Sequence, residues 1–321
     1  MALDEFIKKL SEHIPIDGDN TPYYDIIVKE FDLYLRWLNT YLPDEEFKSF
    51  LQTTNELKGT LSKKRFINLI AKIQKKCIEI LQVCYKGDLW NAANMLVQLM
   101  TMGKCTQYKL KDIYANYFRL DIARLGREYY YRRVDYGEKE EVTNCWHLPY
   151  NLRHLAAKGR FNMIGYPCFY LSDSFNGAYN EVGAIKDGKL AYVGKFLPEK
   201  NVLLLNLTLP LIDKMSSFDK FCFMITYPIY LLCFVKARCK DKNFAFCEEY
   251  VFPQLFFHVM FYHTADKFPN FDGISYNSLE ESKAINIVLP AKYEGDIPPS
   301  YGFSSFITSL FKQINIEKIE K

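Results

Sequence analysis

Four short stretches of the sequence hold polar side chains of the types that bind ligands or take part in reactions. Guanidinium groups bind anions, carboxylates carry negative charge, and hydroxyl groups donate and accept hydrogen bonds. The stretches are "YYYRRV" at 129–134, "GRFNMIGYPCFY" at 159–170, "NGAYNEV" at 176–182 and "ISYNS" at 274–278. Their candidate functional residues are Arg132, Arg133, Arg160, Asn162, Tyr170, Glu181 and Ser278.

Each of these stretches also has an ordinary structural interpretation. Arg132 and Arg133 are adjacent, so on a strand their side chains point to opposite faces, and a surface pair is the simplest interpretation. Glu181 lies on a predicted helix, where glutamate is usually solvated. Ser278 ends a predicted strand and is equally typical of a turn. The elements around these residues must decide between the two interpretations.

The first part of the chain, residues 1–122, is predicted to be an all-helical domain. Residues 62–87 repeat apolar side chains every three or four positions, and Gly87 supplies a helix stop. Similar patterns predict a helix within 21–43 and another from 88 to about 103. A module of this length is a usual domain size.

Residues 123–321 are predicted to form a mixed α+β domain. Aromatic and β-branched runs predict strands near 128–137, 167–172, 189–197, 201–209 and 272–276, and a further apolar stretch follows at 284–290. Residues 174–185, with Ser174 or Asp173 as the N-cap, and residues 248–263 are predicted to be helical. This irregular mixture favours an α+β fold. A stripe from Phe303 to Ile314 predicts a C-terminal amphipathic helix.

Composition and charge limit the classes of partner. The net charge is only +3, and no basic stripe with interleaved aromatic residues occurs, so no nucleic-acid binding is expected. The most apolar run, residues 221–235, is short for a membrane span and contains Pro228. We therefore expect it to be a buried core segment and expect no membrane association.

The cysteine pattern predicts a reducing compartment. The nine cysteines include no Cys-x-x-Cys pair, and the first residues show no signal-peptide pattern, so we expect free thiols and a cytoplasmic location. The five histidines do not follow the spacing of metal ligands, and no metal is expected.

In order and style, the four stretches resemble the RES-domain family, which is named after an arginine, a glutamate and a serine. The resemblance covers about residues 127–292 and also includes "EYVFPQ" and "AINIVL". It implies a fold similar to the ADP-ribosyltransferases, and it implies NAD degradation or ADP-ribose transfer. Residues 1–122 lie outside it and resemble the helical extension of larger RES proteins.

The resemblance also implies roles for individual residues. Arg132 matches the family arginine, Glu181 the glutamate and Ser278 the serine, and these three are expected to be catalytic. The arginine doublet leaves the register between Arg132 and Arg133 open. "YNS" stands where the family usually has Tyr-Pro-Ser. The residues expected to bind NAD are Tyr170, Arg160, Asn162, Arg133 and Asn286.

Cleavage of NAD would use these residue types in specific ways. A guanidinium pairs with pyrophosphate oxygens through two parallel hydrogen bonds, which is the role expected of Arg132 with help from Arg160. Nicotinamide leaves as a neutral group, and Glu181 would stabilise the oxocarbenium-like ribose that remains. Tyr170 would stack on nicotinamide, and Ser278 would orient the ribose or the nicotinamide amide.

We therefore predict an enzyme that cleaves the nicotinamide–ribose bond of NAD and acts as a toxin or defence effector. With phosphate as acceptor it would be an NAD phosphorylase, with water an NAD glycohydrolase, and with a protein side chain an ADP-ribosyltransferase. An antitoxin or regulatory protein is an expected partner, and a homo-oligomer is left open. The rival from another class is a non-catalytic interaction protein with a decayed RES site. An RNA-processing role ranks last.

Overall fold

The computed structural model describes residues 3–18, 20–42, 44–45, 47–48, 62–100, 121–123, 128–137, 142–238, 246–263, 271–281, 283–292 and 302–319. Its helices are α1 (Leu3–Glu12), α2 (Tyr23–Tyr41), α3 (Lys63–Tyr85), α4 (Leu89–Met100), α5 (Phe175–Val182), α6 (Ser217–Cys233), α7 (Val251–His258) and α8 (Ser305–Leu310). Its strands are β1 (Asp121–Ala123), β2 (Tyr130–Gly137), β3 (Cys168–Ser172), β4 (Lys189–Pro198), β5 (Val202–Leu207), β6 (Gly273–Asn277), β7 (Ile285–Pro290) and β8 (Phe311–Ile319). Short 3-10 helices cover Tyr150–Leu155, Ile212–Lys214 and Glu248–Tyr250, and a π-helical turn covers Val259–His263.

The predicted α+β fold is confirmed, because N-terminal helices precede a mixed sheet. The chain divides into two compact units, each made of two segments. The helical unit comprises Met1–Tyr117 and Leu209–Phe268, and the sheet unit comprises Phe118–Thr208 and Pro269–Lys321. The predicted boundary after residue 122 lies close to the first division. The sequence prediction did not place 209–268 with the helices.

Segment 209–268 belongs to the helical unit because α6 is apolar on all sides. Every residue of α6 from Phe221 to Cys233 is buried, so other elements must surround this helix, as expected for a core segment. Pro228 lies inside α6 and has no N–H, which leaves the Met224 carbonyl without its helical donor. The Tyr34 hydroxyl of α2 donates to that carbonyl at 2.6 Å.

The helices of the N-terminal segment bury the stripes that their sequence periodicity predicts. In α3, the predicted apolar positions from Phe66 to Cys84 are buried, and the Ser62 side chain caps the helix by accepting from the Arg65 N–H. The predicted helix beginning at residue 88 is α4, and residues 101–103 of that prediction lie outside the described residues.

The sheet unit contains an eight-stranded mixed sheet with the order β1-β5-β6-β7-β3-β2-β4-β8. Strands β5 and β6 are parallel, and the other neighbouring strands are antiparallel. One face of the central strands carries an apolar core that includes Tyr130, Phe169, Phe196 and Leu289. Helix α5 packs on the opposite face, where the candidate residues Arg133 and Asn286 also lie.

The C-terminal segment is not the predicted amphipathic helix. Only α8 is helical, and the following residues form β8, which pairs antiparallel with β4 from Ala191 to Pro198. Without β8, strand β4 would present a row of unpaired backbone groups at the sheet edge. Pairing with the edge of β4 stabilises a strand here more than the helical spacing of the apolar residues stabilises a helix. The isoleucines of β8 also favour a strand.

Candidate active site

Helix α5 carries Glu181 in its last turn, and both of its ends are fixed locally. Ser174 is the N-cap, as expected, and its side chain accepts a hydrogen bond from the Gly177 N–H at 2.9 Å. Gly183 ends the helix with a φ of 81°, a left-handed conformation that glycine adopts without strain. The helix is therefore short, and Glu181 has a defined position near its C-terminal end.

A close approach at Gly177 sets α5 against the sheet. A Cβ atom at this position would lie 2.3 Å from Ser172 Oγ and 2.7 Å from Ala284 Cβ, so only glycine allows the observed packing. Ser172 ends β3, and Ala284 precedes β7. The glycine thus brings the Glu181 helix into direct contact with the end of β3 and with the start of β7, the strand that carries Asn286.

The carboxylate of Glu181 is held by two buried donors. Ser278 Oγ donates to Glu181 Oε1 at 2.6 Å, and Asn286 Nδ2 donates to the same oxygen at 2.5 Å. Ser278 is 4% exposed and Asn286 is 3% exposed, whereas Glu181 is exposed. The structure therefore brings three of the predicted site residues into contact, although they lie far apart in the sequence.

The position of Ser278 is set by the turn that follows β6. Its backbone N–H donates to the Ala284 carbonyl at 2.9 Å, which closes the turn between β6 and β7. Its Oγ accepts from the N–H groups of Glu280 at 3.2 Å and Glu281 at 3.0 Å. The hydroxyl therefore stabilises the turn as a turn serine does, and it also contacts the carboxylate of Glu181.

Arg133 lies on the α5 face of the sheet and ties the C-terminal end of that helix to β2. Its Nη1 donates to the carbonyl oxygens of Tyr179 at 3.0 Å and Gly183 at 2.6 Å. Its Nε and Nη2 form a two-point ion pair with Asp135 at 2.9 and 3.0 Å. The guanidinium has no exposed surface, and it also lies 4.6 Å from the ring centroid of Tyr179. Arg133 thus neutralises the negative end of the helix that carries Glu181.

Arg132 lies on the opposite face of the sheet, so the structure does not bring this predicted catalytic residue together with Glu181 and Ser278. Its guanidinium lies 5.8 Å from the ring centroid of Phe169, a residue of the apolar core. Its Nη1 donates to the Tyr170 carbonyl at 3.3 Å, and its buried Nε has no hydrogen-bond partner within the described ranges. Burial lowers the pKa of Arg132. The physical reason for the separation is strand alternation, which gives adjacent residues opposite faces.

Tyr170 and Asn162 form a second group on the α5 face, and Arg160 lies in the turn next to them in the sequence. The Tyr170 hydroxyl donates to Asn162 Oδ1 at 2.8 Å, and Asn162 Nδ2 donates to the Ala157 carbonyl at 2.9 Å. A Cβ at Gly159 would lie 2.3 Å from Asn162 Oδ1 and 2.8 Å from the Tyr170 hydroxyl. The turn that carries Arg160 is therefore fastened to β3. Tyr170 lies two residues before Ser172 and so shares its face.

Two buried polar atoms beside the Glu181 contacts have no hydrogen-bond partner in the part of the chain that the structure describes. They are Ser172 Oγ and Asn286 Oδ1. Ser172 and Asn286 are directly opposed in the β3–β7 pair, so their side chains are neighbours on the α5 face. Sequence reasoning missed Ser172, Gly177 and Asp135. The alternation of β3 would have indicated Ser172, because it lies two positions after Tyr170.

Within the described residues, no group of three or more His, Cys, Asp or Glu side chains is placed to hold a metal ion. No helix in the described ranges combines the length and the apolar character that a membrane span requires. The cysteines that the structure describes carry free thiols: Cys77, Cys84, Cys145, Cys168, Cys222, Cys233 and Cys247. Cys105 and Cys239 lie outside the described residues.

Comparison with known proteins gives one distant similarity. A protein of Bacillus subtilis (strain 168) named "Putative toxin YopC" is 24% identical over 151 residues, which cover 43% of this chain and 34% of that protein. The chain thus spans about a third of the length of that relative. No family model matches the chain, and no solved structure matches it. The resemblance to the RES-domain family and to the ADP-ribosyltransferase fold stays a prediction.

Proposed function

We propose that this protein cleaves the bond between nicotinamide and ribose in NAD, with Glu181 as the residue that stabilises the transition state. The observation that carries the proposal is the way in which hydrogen bonds hold the Glu181 carboxylate. One carboxylate oxygen is fixed by two buried donors, while the residue itself is exposed. A solvated glutamate on a helix surface does not need such support, whereas a group that stabilises developing charge must be held in place.

The proposed reaction breaks the bond between ribose C1′ and the nicotinamide nitrogen. The electron pair of that bond moves to the pyridinium ring, so nicotinamide leaves neutral and needs no proton. Positive charge develops on the ribose, where the carboxylate of Glu181 stabilises it. An oxygen of water or phosphate then donates an electron pair to C1′. Water loses a proton to solvent in this step, and phosphate forms ADP-ribose 1″-phosphate.

The phosphate contact is assigned to Arg160 in this proposal. Arg132 lies on the other face of the sheet, and Arg133 is engaged with Asp135 and the end of α5. Arg160 directly precedes Phe161, whose N–H donates to the Tyr170 hydroxyl, and Tyr170 lies on the face of the sheet where α5 packs. In the proposed complex, the pyrophosphate meets Arg160 and the nicotinamide ribose meets Glu181, with the Tyr170 ring as the aromatic surface for nicotinamide.

The similarity to the protein named "Putative toxin YopC" supports a toxin or defence role for the proposed reaction. NAD loss would make a cytoplasmic enzyme harmful to its own cell. Such an enzyme requires control, so the proposal includes an antitoxin or regulatory partner. Free thiols at the described cysteines agree with a reducing location.

The test is to incubate purified protein with NAD, with and without phosphate, and to identify the products by mass spectrometry. Nicotinamide with ADP-ribose 1″-phosphate identifies a phosphorylase, and nicotinamide with free ADP-ribose identifies a glycohydrolase. Nicotinamide with a protein modified by ADP-ribose identifies a transferase. If NAD remains intact both with and without phosphate, the protein is better described as the non-catalytic interaction protein.

A further inference from the structure

We infer that Ser278 and Asn286 are positioning residues that hold Glu181 Oε1, so that Oε2 is the carboxylate oxygen that meets the substrate. This inference rests on the proposed function. It differs from the sequence prediction, which gave Ser278 a direct role on the ribose or the nicotinamide amide and gave Asn286 a role in binding NAD.

The hydrogen bonds of Ser278 leave none for a substrate. Its Oγ accepts from the N–H groups of Glu280 and Glu281, at 3.2 and 3.0 Å. A hydroxyl has one proton and two lone pairs, so the two N–H donors occupy both lone pairs. The single proton then points to Glu181 Oε1, 2.6 Å away. The side chain is also buried, so a ligand has no free donor or acceptor to meet at this position.

The amide of Asn286 is fixed in one orientation by the same carboxylate. Its Nδ2 lies 2.5 Å from Glu181 Oε1, and a reversed amide would place Oδ1 against a carboxylate oxygen. In the observed orientation, Oδ1 is buried beside Ser172, which lies opposite Asn286 in the β3–β7 pair. Both polar atoms of the amide are therefore turned toward protein and away from solvent.

Of the two carboxylate oxygens of Glu181, Oε1 accepts the hydrogen bonds from Ser278 and Asn286, and Oε2 is the one available to a substrate. Both of its hydrogen bonds to described residues go to Oε1, and the residue is exposed. Since Arg133 holds the backbone on both sides of Glu181, the helix end and the carboxylate are fixed from different elements. An open acceptor on a fixed carboxylate suits a partner that donates a hydrogen bond or develops positive charge. A ribose undergoing cleavage offers both.

The test separates positioning from direct contact through kcat and KM. Ser278→Ala and Asn286→Leu should each lower kcat for NAD cleavage about 10- to 100-fold and change KM by less than about threefold. Their effects should also depend on Glu181. In the Glu181→Gln background, the same substitutions should lower kcat by less than about twofold, because the group that they position has lost its charge. The control is Ser309→Ala on the exposed face of α8, which should match the parent.

Two kinetic results would overturn the inference. One is a rise in KM with kcat unchanged, which indicates a direct substrate contact. The other is a full additional loss of kcat in the Glu181→Gln background, which indicates action independent of Glu181.

A structural measurement keeps the inference separate from the proposed function. If the parent consumes no NAD, the proposed function fails, and crystal structures of the parent and of Ser278→Ala still decide the positioning. An ordered Glu181 carboxylate in the parent that becomes displaced in Ser278→Ala supports the inference. A carboxylate in the same place in both proteins contradicts it.

Discussion

Arg132 and Arg133 share the same chemistry and are adjacent in β2, but their environments differ. Arg133 has a carboxylate partner and two carbonyl acceptors, and its guanidinium has no exposed surface. Among the described residues, Arg132 has one hydrogen bond, to the Tyr170 carbonyl at 3.3 Å, and its buried Nε has no partner there. A buried charge is costly unless it is paired, so the two residues should contribute to stability in opposite ways.

This difference predicts the outcome of a matched pair of substitutions. Arg133→Met should lower the free energy of unfolding by about 3–5 kcal/mol, because it leaves Asp135 and two helix carbonyls without their donor. Arg132→Met should change it by less than about 1 kcal/mol or raise it, because it removes a charge that lacks a partner. Urea unfolding of both variants and the parent measures the effects. Equal decreases in the free energy of unfolding for the two variants would contradict the inferred difference in pairing between the two arginines.

At the scale of elements, His147 connects the segment before the first 3-10 helix to the start of α8. Its Nδ1 lies 2.8 Å from the Leu148 carbonyl, which can only accept, so Nδ1 carries the proton. Its Nε2 accepts from the Ser304 N–H at 2.9 Å, and Ser304 is the N-cap of α8. A proton on Nε2 would therefore face another N–H group, and this junction requires a neutral imidazole.

The junction predicts a dependence of stability on pH. Burial lowers the pKa of His147 from 6.5 to about 4, against the opposing effect of the Leu148 carbonyl and with a smaller lowering by the Arg132 charge. The unfolded chain therefore binds a proton at a higher pH than the folded chain does. Stability from this group is complete above about pH 6.5 and decreases as the pH falls toward 4, by up to about 3 kcal/mol.

Replacing His147 with Gln should remove this part of the pH dependence, because glutamine does not titrate. The measurement is urea unfolding of both proteins from pH 7 to pH 4. At pH 7 the variant should be less stable than the parent, because glutamine is a poorer acceptor for the Ser304 N–H. As the pH falls to 4, the free energy of unfolding of the variant should decrease less than that of the parent. Parallel curves for parent and variant would exclude His147 as the titrating group.

At the scale of the whole molecule, the cysteines test the expected environment of the chain. Thiol titration under denaturing, non-reducing conditions should find nine free thiols per chain, in agreement with the free thiols at the described cysteines. Several stable disulfides would instead indicate an oxidising compartment and contradict the cytoplasmic prediction.

The sequence predicted local features of the molecule well and long-range pairings poorly. The α3 stripe, the cap at Ser174 and the strands from β2 to β6 followed from periodicity and residue type, which are local properties. The pairing of β8 with β4 and the placement of 209–268 with the N-terminal helices depend on distant partners. Periodicity within one segment does not show which sheet edge or which group of helices that segment will pack against.

The same distinction applies to the candidate site. Glu181 and Ser278 were selected from an ordered set of motifs, and the structure places them in contact. The choice between Arg132 and Arg133 depended on a single step of strand register, which the sequence left open. Ser172 and Gly177 were missed because their importance comes from the close approach of α5 to β3, a distance that no local pattern encodes.

The central claim is that the carboxylate charge of Glu181 drives cleavage of NAD, and the direct test is the rate of NAD consumption by Glu181→Gln. Glutamine keeps the size and can still accept from Ser278 and Asn286, so the fold and the melting temperature should match the parent. Turnover should fall about a hundredfold or more, the scale for loss of one preorganised electrostatic group. The matched control is Glu199→Gln, an exposed glutamate between β4 and β5, which should keep full activity. Unchanged turnover in a well-folded Glu181→Gln protein would contradict the account.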